Sequence, residues 1–244
     1  NQANQSRLDM LENELSTAKS AMIKEGIRSG HTYIGQLMYQ MGNLGEALKA
    51  FLRSRDFCTM PRHTIDMCLN VISVSIDMNQ FFNASNFIGK VVDDLGDDVV
   101  IGKLQAASAL VDLNDRKFQS AAMKFLNVNP MLGNQFNTTI SEEDIAMYGS
   151  ILAIATFERA DLRSRLIENK PFINTYLNLA PDFKALAMAF YSGDYPSAIQ
   201  KLKEVQPRLL CDIHLNSHVK SLMLKIDERM LLQYFSPYCS LDLS

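Results

Sequence analysis

The sequence contains few helix-breaking residues and no long apolar run. Its 244 residues include only 11 glycines and 7 prolines, and 47% are hydrophobic, which is enough for a large buried core. No run of about 18 apolar residues occurs, so the sequence predicts no membrane-spanning helix. Sustained alternation of apolar and polar residues is also missing, and we therefore expect no β-sheet.

The chain also lacks an excess of positive charge. Its 24 Lys and Arg residues against 27 Asp and Glu give a net charge of −3, so we expect no binding to nucleic acid and none to a membrane. The first five residues contain neither an initiator Met nor the apolar core of a signal peptide. We therefore expect the chain to be a piece of a longer protein.

Cysteines are few, and none forms a Cys-x-x-Cys pair. This spacing indicates reduced thiols in the cytosol or nucleus. The four are Cys58, Cys68, Cys211 and Cys239.

One group of side chains has the spacing of metal ligands. Cys211, His214 and His218 would share a face if they lay on one continuous helix. No carboxylate lies between the two histidines to serve as a general base, and a turn at Asn216 would break the helix. We interpret the segment as an ordinary helix and expect no metal and no cofactor; a metal-dependent enzyme is the alternative.

Other signatures of catalysis are missing too. The acidic segment 93–98 lacks the alternating carboxylates and final Glu of a calcium loop, and we interpret it as a solvated turn. There is no Gly-rich phosphate loop, and no Ser or Cys nucleophile has a supporting neighbour. The sequence therefore predicts a protein that is not an enzyme.

What the sequence does contain is a repeat. Within each unit a large apolar residue is followed by Ala three positions later and by a second large one after four more, all on one helix face. The sets are Leu44, Ala47 and Phe51; Phe81, Ala84 and Ile88; and Phe118, Ala121 and Phe125, each 37 residues after the one before. The pattern returns at Ala198. A period of this length predicts stacked helical hairpins.

The first repeat fits the tetratricopeptide pattern. Its small, small, Ala, large and small positions are occupied by Gly35, Gly42, Ala47, Phe51 and Ser54. Peptide-binding repeats of this type clamp a carboxylate with Lys and Asn, but Thr32 and Gln36 stand at those positions. We therefore expect hairpin packing, with a free peptide-binding adaptor as an alternative.

Two Ser-x-x-Asp sequences predict helix starts. Ser6 with Asp9 and Ser141 with Asp144 each have the spacing of a capping box. We expect one helix to begin at Ser6 and weaken near Gly26, and another to begin after Ser141.

Several stretches resemble the PCI-domain subunits of the COP9 signalosome. They are residues 55–76, 146–149, 153–159, 191–195, 209–215 and 232–238. The PCI subunits of the proteasome lid share the architecture but resemble these stretches less, and they are the alternative family. The resemblance covers nearly the whole chain, with residues 233–238 its most specific part.

This resemblance implies an all-α fold, a right-handed superhelix of tetratricopeptide-like hairpins that continues into the helical half of a PCI domain. The implied domains are an N-terminal helix at 1–30, repeats at 31–180 and the helical PCI part at 181–244. We expect the winged helix, the second half of a PCI domain, to be missing. Four residues near the end, Tyr234, Phe235, Pro237 and Tyr238, are our candidates for packing against it; ordinary core at a helix end is the alternative.

The resemblance also implies a function. The signalosome removes the ubiquitin-like modifier NEDD8 from cullin–RING ligases, and a different, zinc-dependent subunit performs the cleavage. The chain would then be a non-catalytic scaffold in the nucleus and cytoplasm. Its expected partners are other PCI-domain signalosome subunits and cullin–RING ligase components.

Overall fold

The computed structural model describes residues 2–91 and 97–235, and every regular element in these two ranges is a helix. The predicted all-α fold class is therefore confirmed. The chain forms two compact units, Asn1–Asp97 and Asp98–Ser244. The domain bounds expected at residues 30 and 180 stay predictions.

In residues 2–91 the first unit has five α-helices that pack successively against one another. They are α1 (Gln2–Ser20), α2 (Lys24–Gln40), α3 (Leu44–Ser54), α4 (Pro61–Asp77) and α5 (Phe81–Val91). Pro61 occupies the first turn of α4, where its missing N–H has no intrahelical partner to lose.

The contact between α2 and α3 explains the tetratricopeptide pattern of the first repeat. The ring of Phe51 lies against Gly35, and a Cβ atom at that position would come within 2.6 Å of Cε1 of Phe51. Both Ala47 and Phe51 are buried, as is Ser54. Four of the five positions therefore serve helix packing, as predicted, whereas Gly42 lies in the turn and has a positive φ.

The predicted start of the first helix is wrong. The helix α1 begins at Gln2, so Ser6 lies inside it and cannot cap its first turn. The chain turns at residues 21–23, and Gly26 and Gly30 lie in α2. These glycines allow close approach of α1, since a Cβ at Gly30 would lie 3.0 Å from Leu15.

The second unit is built around one buried helix, α8 (Glu142–Thr156), in which every residue from Ile145 to Ala155 is buried. Three helices pack against it, namely α7 (Phe118–Leu126), α11 (Pro181–Ser192) and α13 (Val219–Phe235). The other α-helices described in this unit are α6 (Asp98–Asn114), α9 (Arg159–Leu162), α10 (Lys170–Thr175) and α12 (Tyr195–Cys211).

The turns that join paired helices share one backbone geometry. Gly42, Asn79, Arg116 and Gly193 each have a positive φ, between 57° and 81°. At Arg116 the backbone N–H donates to Leu113 O at 3.0 Å, and the next N–H, of Lys117, donates to Asp112 O at 2.9 Å. This paired bonding ends a helix by satisfying its last carbonyls.

Candidate interaction surface

The candidate surface is built around α8, whose first turn is held by side-chain hydrogen bonds. Its first turn carries the predicted capping box: Ser141 Oγ accepts from Asp144 N at 3.1 Å, and Asp144 Oδ2 accepts from Ser141 N at 3.2 Å. This prediction is confirmed. Because the start of α8 is fixed, the direction of every side chain along this buried helix is fixed with it.

Near the middle of α8, a buried tyrosine reaches the turn that follows α12. The hydroxyl of Tyr148 donates to Asp212 Oδ2 at 2.7 Å, while Asp212 Oδ1 accepts from the backbone N–H groups of His214 and Leu215 at 2.9 and 2.7 Å. Burial, followed by the charge of Asp212, raises the pKa of the Tyr148 phenol far above its ordinary value. The phenol therefore stays protonated and donates.

Two further contacts connect the residues just after α8 to α11 and α13. The guanidinium of Arg229 in α13 donates to the backbone carbonyl of Phe157, and the guanidinium of Arg159 lies 4.9 Å from the ring centre of Tyr191. Phe157, Arg159 and Tyr191 all belong to stretches that carry the family resemblance. Those stretches, separated in sequence, thus meet around α8.

A contact between α12 and α13 involves one of the four candidate packing residues and lies next to a second. The hydroxyl of Tyr195 donates to Gln233 Oε1 at 3.2 Å, and the ring of Tyr195 lies edge-to-face on Tyr234 at 6.3 Å. Tyr234 in turn contacts the ring of Phe235. Tyr234 is 53% exposed and Phe235 is half-buried. Pro237 and Tyr238, the other two predicted residues, lie outside the described residues.

Four large apolar side chains of α13 are exposed. One stripe of the helix, Val219, Leu222, Ile226 and Met230, is buried, consistent with its packing on α8. The opposite side of a surface helix is normally polar. Beside exposed polar residues, α13 carries four large apolar side chains that are more than half exposed: Leu224, Leu231, Leu232 and, towards Tyr195, Tyr234. We call these four residues the α13 face. Apolar patches of this kind mark protein-binding surfaces.

The candidate metal ligands do not share a helix face. Cys211 is the last residue of α12 and is exposed, while His218 lies in a short 3₁₀ turn before α13 and is buried. The ring of His214 lies edge-on to Tyr148, and that of His218 edge-on to Phe118. Within residues 2–91 and 97–235, no group of three or more His, Cys, Asp or Glu side chains could hold a metal ion. The acidic segment 93–98 lies mostly outside the described residues.

Thr32 and Gln36, which stand where peptide-binding repeats carry a carboxylate clamp, lie in α2. Thr32 Oγ1 donates to Arg28 O at 3.0 Å within α2, and Gln36 is exposed. Gln36 and the half-exposed ring of Tyr33 line a groove of 270 Å³ between α1 and α2. In the same described ranges, no helix is long and apolar enough to span a bilayer.

Paired helices joined by turns of one geometry define a helical-repeat protein, a class that usually binds other proteins. A model of the family described as 26S proteasome subunit RPN7 matches residues 1–165, and the chain belongs to this family.

Among curated relatives, COP9 signalosome complex subunit 1 of Arabidopsis thaliana is 43% identical over 236 residues, covering 96% of this chain and 53% of the relative. Subunit 1b of the Drosophila melanogaster signalosome is 36% identical, covering 97% of this chain and 46% of the relative. The 26S proteasome non-ATPase regulatory subunit 6 of Caenorhabditis elegans is 25% identical over 168 residues, covering 68% of this chain and 40% of that protein. The chain spans about half the length of the curated relatives it matches. As predicted, the proteasome relatives are more distant.

Proposed function

We propose that this chain is part of a non-catalytic scaffold subunit of the COP9 signalosome, the complex that removes NEDD8 from cullin–RING ligases. The observation that carries the proposal is the 43% identity to an Arabidopsis signalosome subunit 1 across 96% of the chain. The helical-repeat architecture supports it, since such arrays present surfaces to partners and leave the chemistry to another subunit.

The proposed partners are other PCI-domain signalosome subunits and, through the assembled complex, cullin–RING ligase components. We propose that residues 181–244 are the helical part of a PCI domain, preceded by repeats at 31–180 and an N-terminal helix at 1–30. The α13 face, with Phe235 beside it, is the proposed contact surface at the end of this part. Three of its four residues are leucines that are more than half exposed to solvent.

A domain exchange tests the function. Residues 1–235 would replace the aligned segment of the Arabidopsis relative, and the chimera would be co-expressed with the remaining Arabidopsis signalosome subunits. We expect it to co-elute with them on size-exclusion chromatography and to restore cleavage of NEDD8 from a cullin. A folded chimera that elutes alone would contradict the proposal.

Matched substitutions test the surface. In the chimera, Leu231→Glu and Leu232→Glu together place two charges on the α13 face and should reduce co-elution strongly. Met10→Glu in α1 changes an equally exposed apolar residue of the other unit and should leave co-elution unchanged. Equal losses in both variants would show that the α13 face has no special role.

Two alternatives make different predictions. A proteasome-lid subunit would co-elute with lid subunits instead, an outcome disfavoured by the 25% identity of that relative. A free peptide-binding adaptor would bind short peptides in the α1–α2 groove, and Gln36→Ala would weaken that binding.

We propose a nuclear and cytoplasmic location for the subunit. Imaging of a fluorescently tagged protein in both compartments, with a signalosome subunit as reference, tests this. Exclusion of the tagged protein from the nucleus while the reference enters it would contradict the proposal.

A further inference from the structure

A cavity of 540 Å³ in the second unit is lined by an excess of basic residues. The first turn of α7, the end of α8 and one side of α13 form its walls. Its size lies within the range of small-ligand sites. Four cationic residues line it, namely Arg116, Lys117, Lys225 and Arg229, against the single carboxylate of Glu228.

The cations differ in how far they are already neutralised. Lys117 Nζ lies 2.9 Å from Asp115, so its charge is compensated. Neither Arg116 nor Lys225 forms an ion pair with a carboxylate of residues 2–91 or 97–235. The ammonium of Lys225 instead lies 5.2 Å from the ring centre of Phe118 at the base of α7.

Arg229 adds a partly desolvated charge. Its guanidinium donates to Phe157 O, while its Nε is buried and has no hydrogen-bond partner among the described residues. Burial lowers the pKa of Arg229, and the nearby carboxylate of Glu158 offsets this only partly. A desolvated guanidinium next to unpaired cations is stabilised when an anion enters the same space.

We propose that this cavity binds a phosphate monoester or polyphosphate group, with Arg116, Lys225 and Arg229 as the anion-binding residues. Phosphate suits the arrangement because several oxygens on one centre accept hydrogen bonds from planar guanidinium and ammonium donors at once. The positive end of α7, which forms one wall, adds to the same field. The group could belong to a phosphorylated protein segment or to a small metabolite.

Calorimetric titration of the protein distinguishes these sources. The probes are inorganic triphosphate, a pentapeptide with one phosphoserine, the same peptide unphosphorylated, and a Glu-containing peptide of equal charge. At low salt we expect saturable binding of triphosphate or of the phosphopeptide with Kd below about 1 mM. Tighter binding of the phosphopeptide would identify a protein source, and tighter binding of triphosphate a metabolite.

Substitutions link binding to the cavity. Lys225→Ala and Arg116→Ala should each weaken binding about tenfold, since each removes a charge-assisted contact. Lys220→Ala removes the same charge from an exposed position on α13 outside the cavity and should change Kd less than about twofold. Glu228→Gln removes the opposing carboxylate and should strengthen binding. Circular dichroism checks that each variant is folded.

Three results would overturn the proposal. One is the absence of saturable binding by both phosphate probes. The second is an equal loss of affinity in Lys220→Ala and Lys225→Ala, which would indicate general attraction to a charged surface. The third is binding of the Glu peptide as tight as that of the phosphopeptide, which would show that the cavity does not select phosphate.

Discussion

Asp212 should contribute strongly to the stability of the second unit. Its side chain accepts three hydrogen bonds, one from the buried Tyr148 hydroxyl and two from the backbone N–H groups of His214 and Leu215. Asp212→Ala removes both acceptor oxygens and so all three hydrogen bonds. The N–H of the partly buried His214 lies beside Ile213, which is 85% exposed, so water can replace its bond, whereas Leu215 is fully buried.

Water cannot replace the lost partner of the Tyr148 hydroxyl, because the residue is only 2% exposed. An unsatisfied buried hydroxyl costs about 1–3 kcal/mol, and each lost turn hydrogen bond about 1 kcal/mol. We therefore expect Asp212→Ala to lower the free energy of unfolding by about 3 kcal/mol. Tyr148→Phe removes the hydroxyl itself, so no buried polar group is left without a partner, and Asp212 keeps its two backbone donors. This substitution should therefore lower the free energy of unfolding by only about 1 kcal/mol.

Urea unfolding followed by far-ultraviolet circular dichroism measures these differences, since the chain has no Trp for fluorescence. Because the chain forms two compact units, hydrogen exchange of residues 209–215 should be compared with that of residues 61–77 in the first unit. Asp227→Ala, at an exposed position of α13, is the control and should change stability by less than about 0.5 kcal/mol. A loss from Tyr148→Phe equal to that from Asp212→Ala would refute the reasoning.

Three further measurements test the packing, a turn and a buried histidine. Gly35→Ala should lower the free energy of unfolding by about 1–3 kcal/mol because its Cβ would overlap the ring of Phe51. Gly45→Ala has open space around its Cβ and should stabilise α3 slightly. Equal effects of the two substitutions would contradict the packing argument. Arg116→Gly should raise the free energy of unfolding by about 0.5–1 kcal/mol, since φ at this position is positive, and urea unfolding would detect a contrary loss. Burial lowers the pKa of His218 below 6.5, so as the pH falls the unfolded chain binds this proton before the folded chain does. The free energy of unfolding therefore decreases as the pH drops below 6.5. His218→Gln should flatten this part of the stability–pH curve, and an unchanged slope would exclude His218 as its source.

The hairpins were predictable because they follow from local pattern. A large, small, large sequence on one helix face at a fixed period leaves few ways to bury those side chains. The contact of Phe51 with Gly35 is the outcome that the tetratricopeptide pattern predicts. The helix start at Ser6 was not predictable in the same way, although Ser6 and Ser141 stand in the same Ser-x-x-Asp pattern.

The difference between these two serines lies in what precedes them. Ser141 has an extended backbone with ψ of 162° and follows an irregular segment, so its side chain is free to bond to the first turn of α8. Residues 2–5 before Ser6 instead continue the helix, with Gln5 Nε2 donating to Asp9 Oδ1 at 3.1 Å. A capping box is therefore informative only where the residue before it cannot be helical.

The contacts around α8 were beyond prediction from the sequence alone. Tyr148 and Asp212 are 64 residues apart, and neither has a neighbour that indicates a buried hydrogen bond. The one available signal was that both lie in stretches that carry the family resemblance. The exposed leucines of α13 gave no signal either, since single apolar residues on a helix are common and only the position of α8 shows which side is covered.

The inter-helix turns show where the information for the repeat resides. Gly42, Asn79 and Arg116 lie 37 residues apart and share a positive φ, yet only the first has the residue type that this backbone favours. Asn tolerates the left-handed region, whereas Arg adopts it at a cost of about 1 kcal/mol or more. Arg116 accepts that conformation because the flanking helices, with buried Leu113 and Phe118, hold the turn from both sides. The repeat is therefore maintained by helix packing, and the residue type in the turns is free to vary. This freedom allows the cationic Arg116 to line the 540 Å³ cavity at a position that otherwise favours glycine.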